Sequence, residues 1–463
     1  MAPEHFRFGG GAADSTIIPL MAVFLLIGVI LILVLPRNKA LVPFLLAMSI
    51  IPFGQVVVLG GVHFTAMRIL ILAGLARRAI APGSSSEGKF PGGFNPIDRA
   101  VVLWSVSAVI MFCLTFMEGQ AFVNAFGVIL DTLGGYAVLR FMVPNGEALR
   151  TAVKTLAVIC LMEGVPMIIE QITHINVFGY LGGVRLASAI RDGSVRASGT
   201  MGALTAGPIG GLLIPVFLWL WTQKKSRMAA LAGLAGSIAM TITSNSSTSL
   251  MALFGGLVGL AFWPLRTRMR QIRWGLLCTL VALHLYMKAP VWALIARIDL
   301  TGSSSGYQRY ALIDMTVKHF GDWWLMGTPE YVNWGWDSYD LCNQFVYVAL
   351  NSGLLSLIFY IAIFKQSFAA IGTARKLVEG DRAQEWFLWC LGSCLFAVVV
   401  TYFGIYSAGH LMIVFFVLLA VISVATFEAR QPSVQTAEVP ARLPFAPSPR
   451  SAASYLVPVQ RKQ

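Results

Sequence analysis

The sequence predicts an all-α integral membrane protein, a polytopic helical bundle that crosses the bilayer about 12 to 13 times. Of its 463 residues, 57% are hydrophobic and only 12% are charged, and the mean hydropathy is +0.73. These values lie outside the composition of ordinary globular domains. Long apolar runs also recur along the whole chain, and a helix that crosses the hydrocarbon core needs about 20 apolar residues.

The predicted spans are about thirteen apolar runs. The third is short and the fifth carries Asp131, so the count could change by one or two. No small-residue cleavage site follows the first run, which we therefore expect to be retained as an uncleaved span. The runs cover residues 17–35, 40–60, 62–76, 98–117, 119–142, 152–172, 203–222, 228–245, 247–264, 274–296, 342–364, 386–405 and 408–427.

Basic clusters predict the orientation, because positive residues near span ends favour the cytoplasmic side. They follow the odd-numbered spans, as in PRNK, ARR, KKSR and RTRMRQIR. This places the N-terminus outside and the C-terminus in the cytoplasm. The net charge of +13 is then a topology signal, and no nucleic acid partner is expected.

This topology divides the chain into a membrane domain and a tail. Residues 1–427 form the polytopic domain, from which 173–202 and 297–341 extend as the two long outer loops. Residues 428–463 are rich in Pro, Ala and Ser, which predicts a disordered cytoplasmic tail.

Metal, cofactor and nucleotide sites are not predicted. The six cysteines lie in or beside apolar runs, with no CxxC pair and no His spacing suited to zinc. The chain also has no GxxxxGK[ST] phosphate-binding loop. We therefore expect neither a metal nor a cofactor, and no nucleotide hydrolysis.

The first outer loop contains VRLASAIRDGSVRASG, with Arg185, Arg191 and Arg196. Cations are disfavoured on this side, whereas a guanidinium pairs bidentately with phosphate and keeps its charge. The loop therefore predicts an anion site. Arg196 is the main candidate, because the Ser-Gly that ends at Gly199 would let backbone N–H groups approach a phosphate. Contact with lipid headgroups, or capping of the seventh span, is the alternative.

The second outer loop contributes Arg309, several carboxylates and many aromatic residues. Asp337 and Asp340 precede the eleventh span, where a carboxylate could take a proton from an acceptor hydroxyl; a solvated span end is the alternative. The Trp and Tyr side chains suit stacking on sugar rings, although they also form the interfacial belt of membrane proteins. Apolar spacing over 307–320 predicts a short helix on the bilayer surface.

Four segments resemble, in order, motifs of the O-antigen ligase and polysaccharide polymerase superfamily. RASGTMGALTAGPIGGLLIP (196 to 215) resembles its Arg-x-x-Gly motif, and SNSSTSLMALFGGLVGL (244 to 260) its Ser-rich element. RYALIDMTVKHFGDWWLMG (309 to 327) is similar to its Arg-led amphipathic segment, and DSYDLCNQFVYVALNSGLLSL (337 to 357) to its Asn-led span entry. The resemblance covers roughly residues 180 to 360.

The resemblance implies a metal-independent, inverting glycosyltransferase with a GT-C-like fold in the bacterial inner membrane. Its donor would be an undecaprenyl-diphosphate-linked glycan on the periplasmic side. Arg196 and Arg309 match the arginines that hold the diphosphate, and Asn343 matches the span-entry Asn. Ligases have His before this Asn, whereas the chain has Cys342.

The Cys argues against ligation to lipid A core. The Asp-containing span entry resembles the exopolysaccharide polymerase branch, with Asp337 or Asp340 as acceptor-side groups. Implied partners are a flippase, a chain-length regulator and export machinery. The alternatives are an O-antigen ligase acting on lipid A core, a carrier of lipid-linked oligosaccharide, and a non-catalytic assembly subunit. The two outer loops are unlike each other, which disfavours a carrier built from related halves.

Overall fold

The computed structural model describes residues 15–59, 62–80, 90–191, 193–297, 305–335 and 338–431. The structure is 76% helical. Within the described residues, the only paired strands form two short antiparallel hairpins. The predicted all-α class is therefore confirmed. Most of the predicted tail, residues 432–463, lies outside the described residues.

The N-terminal part contains three helices and one hairpin. Helices α1 (Pro19–Val34) and α2 (Leu41–Ile50) precede strands β1 (Val56–Leu59) and β2 (Val62–Thr65), which lead into α3 (Ala66–Ile80). The predicted spans 40–60 and 62–76 were thus wrong in extent. Ile51 is extended (φ −83°, ψ 115°), as expected before Pro52, and the valines of β1 favour a strand.

The central part runs from α4 to α9. Asn95 and Asp98 form a capping box at the start of α4. The predicted span 119–142 is continuous, but a π-helical turn at Leu130–Gly134 separates its two α-helical parts. The helices are α4 (Pro96–Phe116), α5 (Gly119–Ile129), α6 (Gly135–Met142), α7 (Gly146–Thr173), α8 (Ala203–Thr222) and α9 (Arg227–Thr243). Strands β3 (Ala189–Arg191) and β4 (Ser194–Arg196) form the second hairpin, between α7 and α8.

The C-terminal part contains seven helices. The surface helix predicted over 307–320 corresponds to α12. The helices are α10 (Ser247–Ala261), α11 (Met269–Tyr286), α12 (Ser305–Lys318), α13 (Phe320–Trp323), α14 (Gln344–Leu377), α15 (Arg382–Thr401) and α16 (Gly409–Glu428). Helix α16 is 94% buried and packs against α6, α7, α8, α14 and α15, so it forms the centre of the bundle.

Fewer of the described helices are long and apolar enough to cross a membrane than the sequence predicts. Among the described residues, seven helices are long and apolar enough to cross a membrane, or eight if the bent pair Ser247–Ala261 and Trp263–Tyr286 is one span. Helices α1 and α2 are apolar but shorter. The chain is therefore a multi-pass membrane protein, with fewer full-length spans than the predicted 12 to 13.

Helix α14 is interrupted where residues 324–328 dock against it. Gly353 has non-helical angles (φ 73°, ψ 178°), a conformation that is essentially restricted to glycine. On either side of this break, Leu354 N donates to Trp324 O, and Thr328 N donates to Leu350 O, both at 2.8 Å. The loop thus satisfies backbone groups that the break leaves outside the helical ladder.

Candidate functional site

The hairpin between α7 and α8 places the three predicted arginines in different surroundings. Ala189 pairs with Arg196, and Arg191 with Ser194. Arg196 ends β4 and is half-buried, whereas Arg185 and Arg191 are exposed. Only Arg196 therefore lies at the edge of the packed bundle.

Two buried carboxylates of α7 hold the segment that follows Arg196. Glu170 is 1% exposed and accepts hydrogen bonds from Ser198 N (2.9 Å) and Gly199 N (3.1 Å). Glu163, at 2% exposure, accepts from Thr200 N (3.0 Å) and Thr200 Oγ1 (2.5 Å). The backbone N–H groups predicted to approach a phosphate are therefore occupied by carboxylates.

Gly199 has a steric role in this arrangement. Its φ is +54°, and a Cβ there would overlap Oε2 of Glu163. That Gly199 binds the substrate stays a prediction, although its N–H here donates to Glu170. The side chains of Glu163 and Glu170, which the sequence places in a predicted span, reach this turn from α7.

The strand of Arg196 also contacts the turn between α9 and α10, which we call the hydroxyl turn (residues 243–249, TSNSSTS). Ala197 N donates to Thr243 O at 3.0 Å, and Asn245 Nδ2 donates to Val195 O at 2.5 Å. Contacts on both sides of Arg196 therefore fix its backbone against this turn.

Arg309 reaches the same turn from α12. It is 6% exposed, and its Nη2 donates to Ser247 Oγ at 2.8 Å and to Thr248 Oγ1 at 3.3 Å. Burial lowers the pKa of the guanidinium, which nevertheless stays charged at physiological pH. Among the described residues, no salt bridge includes Arg309.

The hydroxyl turn thus joins the two arginines that the sequence singled out. A buried cation whose described partners are neutral hydroxyls favours the approach of an anion. The sequence suggested helix packing for this Ser-rich run, so the roles of Ser247 and Thr248 at Arg309 were missed. The sequence feature that could have indicated these roles was the position of both residues in the Ser-rich motif.

The entry to α14 places the remaining candidates differently. Asn343 is 1% exposed, and its Oδ1 accepts hydrogen bonds from Phe345 N (2.9 Å) and Val346 N (3.2 Å). It therefore caps α14, and a catalytic role for Asn343 stays a prediction. Asp340 is exposed, and Asp337 lies outside the described residues. Cys342 is half-buried and interacts electrostatically with Arg309.

No group of three or more His, Cys, Asp or Glu side chains suited to a metal ion occurs in the part of the chain that the structure describes. No protein-family model matches the chain, and no curated protein matches it significantly. A function for the protein is therefore inferred from the geometry around the hydroxyl turn and from the sequence motifs that contain these residues.

Proposed function

We propose that the protein polymerises undecaprenyl-diphosphate-linked oligosaccharide repeat units, by inverting glycosyl transfer, in exopolysaccharide or O-antigen biosynthesis. One observation carries this proposal. The buried Arg309 bonds to hydroxyls of the same turn that holds the strand of Arg196. The two arginines would bind one diphosphate between them.

The charge at Arg309 supports a diphosphate ligand. A guanidinium at a buried site loses hydration, and neutral hydroxyls replace only part of it. A phosphate oxygen supplies both charge and hydrogen-bond acceptors in the planar geometry that the guanidinium fork matches. The ligand that best compensates for the lost hydration of the Arg309 guanidinium is therefore a phosphate-containing anion.

The same cations would assist the chemical step. In the transfer, an acceptor hydroxyl oxygen forms a bond to the anomeric carbon of the donor, and the bond from that carbon to the diphosphate oxygen breaks. Negative charge develops on the leaving diphosphate, where fixed cations stabilise it. The acceptor proton goes to a base, for which Asp340 and Asp337 are the candidates. No metal or cofactor is required.

The orientation belongs to the same proposal, with the N-terminus and the hydroxyl turn on the periplasmic side of a bacterial inner membrane. A basic cluster supports this orientation. It lies at the C-terminal ends of α10 and α14, whereas the hydroxyl turn lies at the N-terminal end of α10. Arg266 Nε and Arg375 Nη1 both contact Glu385 Oε1, at 3.0 and 3.3 Å. Two arginines thus share one carboxylate, which leaves the excess positive charge expected of a cytoplasmic face.

Polymerase activity fits the site better than ligase activity. The ligases that the chain resembles have His at the position of Cys342. A thiol is a poor substitute for an imidazole as a general base. A polymerase would work with the predicted partners, namely a flippase, a chain-length regulator and export machinery.

The test is to incubate the purified protein with a lipid-linked repeat unit and to separate the products on a gel. Wild-type protein should give a ladder of chain lengths, and Arg196→Ala and Arg309→Ala should each abolish it. Lys318→Ala is the matched control, because this cation lies on the same helix α12 and is 63% exposed. The proposal would be contradicted if wild-type protein left the donor unchanged under conditions in which a known polymerase acts.

A further inference from the structure

A cavity of about 200 Å³ lies within the bundle, between α4, α5, α14 and α16. Aromatic rings of Trp104, Phe112 and Tyr360 line part of its wall. Most of the remaining wall is also apolar, with Val128, Val348 and Met412 among its residues. Polar groups reach it from two places where the helices are irregular. Pockets for drug-sized ligands are usually about 300 Å³ or more, so this cavity suits a smaller molecule.

The first irregularity is the π-helical turn at Leu130–Gly134, which brings Asp131 and Thr132 to the cavity. Asp131 accepts hydrogen bonds from Arg68, with Nη2 at 2.7 Å and Nε at 3.0 Å. The Asp131 side chain is 16% exposed. π-Helical turns often occur at functional sites. An ionisable residue inside a membrane bundle has a high desolvation cost, and such residues commonly have a function.

The second irregularity is the break in α14 at Gly353. Asn351 and Ser352, just before the break, also line the cavity. Asn351 Nδ2 donates to Tyr347 O at 2.9 Å. Its carboxamide oxygen accepts no hydrogen bond from the described residues. Two separate helix distortions thus place hydrogen-bond acceptors along the wall of one cavity.

Two chain segments connect the surroundings of Arg309 with the cavity. Gln344, two residues after Cys342, lines it together with Ser407. Gln344 Oε1 accepts from Ser407 N at 2.6 Å, which joins the two segments at this end. Gly404, three residues before Ser407, lies beside Arg309, since a Cβ there would be 3.3 Å from Arg309 Nε. A molecule held at Arg309 could therefore extend into the cavity.

We propose that this cavity binds one neutral sugar residue of the substrate, adjacent to the reacting bond. The inference rests on the proposed function. Sugar hydroxyls would donate to Asp131 and to the Asn351 oxygen, while the apolar ring face would pack on Trp104 or Tyr360. A lipid chain of the same volume would leave the Asn351 oxygen without a donor, at a cost of about 1–3 kcal/mol, whereas Asp131 would keep its hydrogen bonds from Arg68.

The experiment uses methyl glycosides of glucose, galactose, mannose and N-acetylglucosamine that carry a diazirine. The full-length protein is irradiated with each glycoside, and the labelled peptides are mapped by mass spectrometry. At least one glycoside should label α4, α5 or α14 at the cavity, and excess unlabelled glycoside should compete. Asn351→Leu should weaken this labelling about tenfold, as expected for one lost hydrogen bond. Asn333→Leu, an exposed amide in the second outer loop, should not.

Ala108→Leu is the second variant, because it fills the cavity wall without removing a polar group. It should also reduce labelling. Labelling of the cavity by diazirine-bearing palmitate instead of any glycoside would overturn the inference, as would equal glycoside labelling of wild type and both variants. Neither result depends on turnover. If the protein gives a product ladder but the cavity is not labelled, only the sugar-binding cavity is refuted. If the cavity is labelled but no ladder forms, only the polymerase activity is refuted.

Discussion

The hydroxyl of Ser247 accepts a 2.8 Å hydrogen bond from Nη2 of Arg309, which lies 62 residues further along the chain. This bond ties the start of α10 to the buried face of α12. Since Asn245 of the same turn holds the strand of Arg196, the bond also links the hairpin before α8 with helix α12. The hydroxyl turn is thus the structural element through which each arginine is positioned relative to the other.

Removal of the hydroxyl partners of Arg309 should impair the reaction. In Ser247→Ala/Thr248→Val, Nη2 loses both described hydrogen bonds, so the guanidinium is less well fixed. Hydrogen bonds to charged groups contribute about 1.5–3 kcal/mol, and we expect kcat/KM for transfer to fall at least about tenfold. Thr279→Val on the exposed face of α11 is the control. A double variant with wild-type kcat/KM would show that these hydroxyls do not position Arg309.

Gly199 and Gly193 allow a controlled test of the Glu163 contact. Both have positive φ, +54° and +74°, so alanine costs about 1 kcal/mol at each through the backbone alone. Only at Gly199 would the new Cβ overlap Glu163, whereas at Gly193 it would meet nothing within 4 Å.

Thermal unfolding in detergent should therefore show a larger loss of stability for Gly199→Ala than for Gly193→Ala, by about 1–3 kcal/mol. Equal losses would mean that the buried carboxylate moves aside without cost, and that Gly199 is needed only for its backbone conformation.

Gly353 and Gly372 provide a similar pair within α14. A Cβ at Gly353 would lie 2.5 Å from Leu325 O, whereas at Gly372 it would meet nothing within 4 Å. Gly353→Ala should destabilise the protein by about 1–3 kcal/mol and release the second outer loop, measured as faster limited proteolysis between α13 and α14. Gly372→Ala should be neutral or stabilising by about 0.5–1 kcal/mol. Unchanged proteolysis in Gly353→Ala would indicate that the loop does not depend on the break.

The sequence predicted the helical membrane class well, because hydropathy depends on composition alone. It predicted span lengths less well, since apolar composition does not distinguish a strand from a helix. The valines of β1 extended the predicted second span through Pro52. The π-turn and the break at Gly353 were not predicted either, because both lie inside runs of suitable length and hydropathy.

At the site, the sequence singled out Arg196 and Arg309, and the structure places the side chain of Arg309 and the strand of Arg196 against the hydroxyl turn. The contacts of Gly199 and Asn343 were not predicted. Gly199 lies against Glu163, and Asn343 caps the first turn of α14. A motif position indicates that a residue matters at that place, but only the neighbours show whether it binds a ligand or supports the backbone.

The central claim is that Arg196 and Arg309 bind the same diphosphate, and a double-mutant cycle tests it most directly. Binding of undecaprenyl diphosphate to the purified protein would be measured for wild type, Arg196→Ala, Arg309→Ala and the double variant. If both guanidinium groups share one ligand, the effects should be non-additive, with a coupling energy of about 0.5–3 kcal/mol. Additive losses within about 0.3–0.5 kcal/mol, or unchanged affinity in either single variant, would contradict the claim.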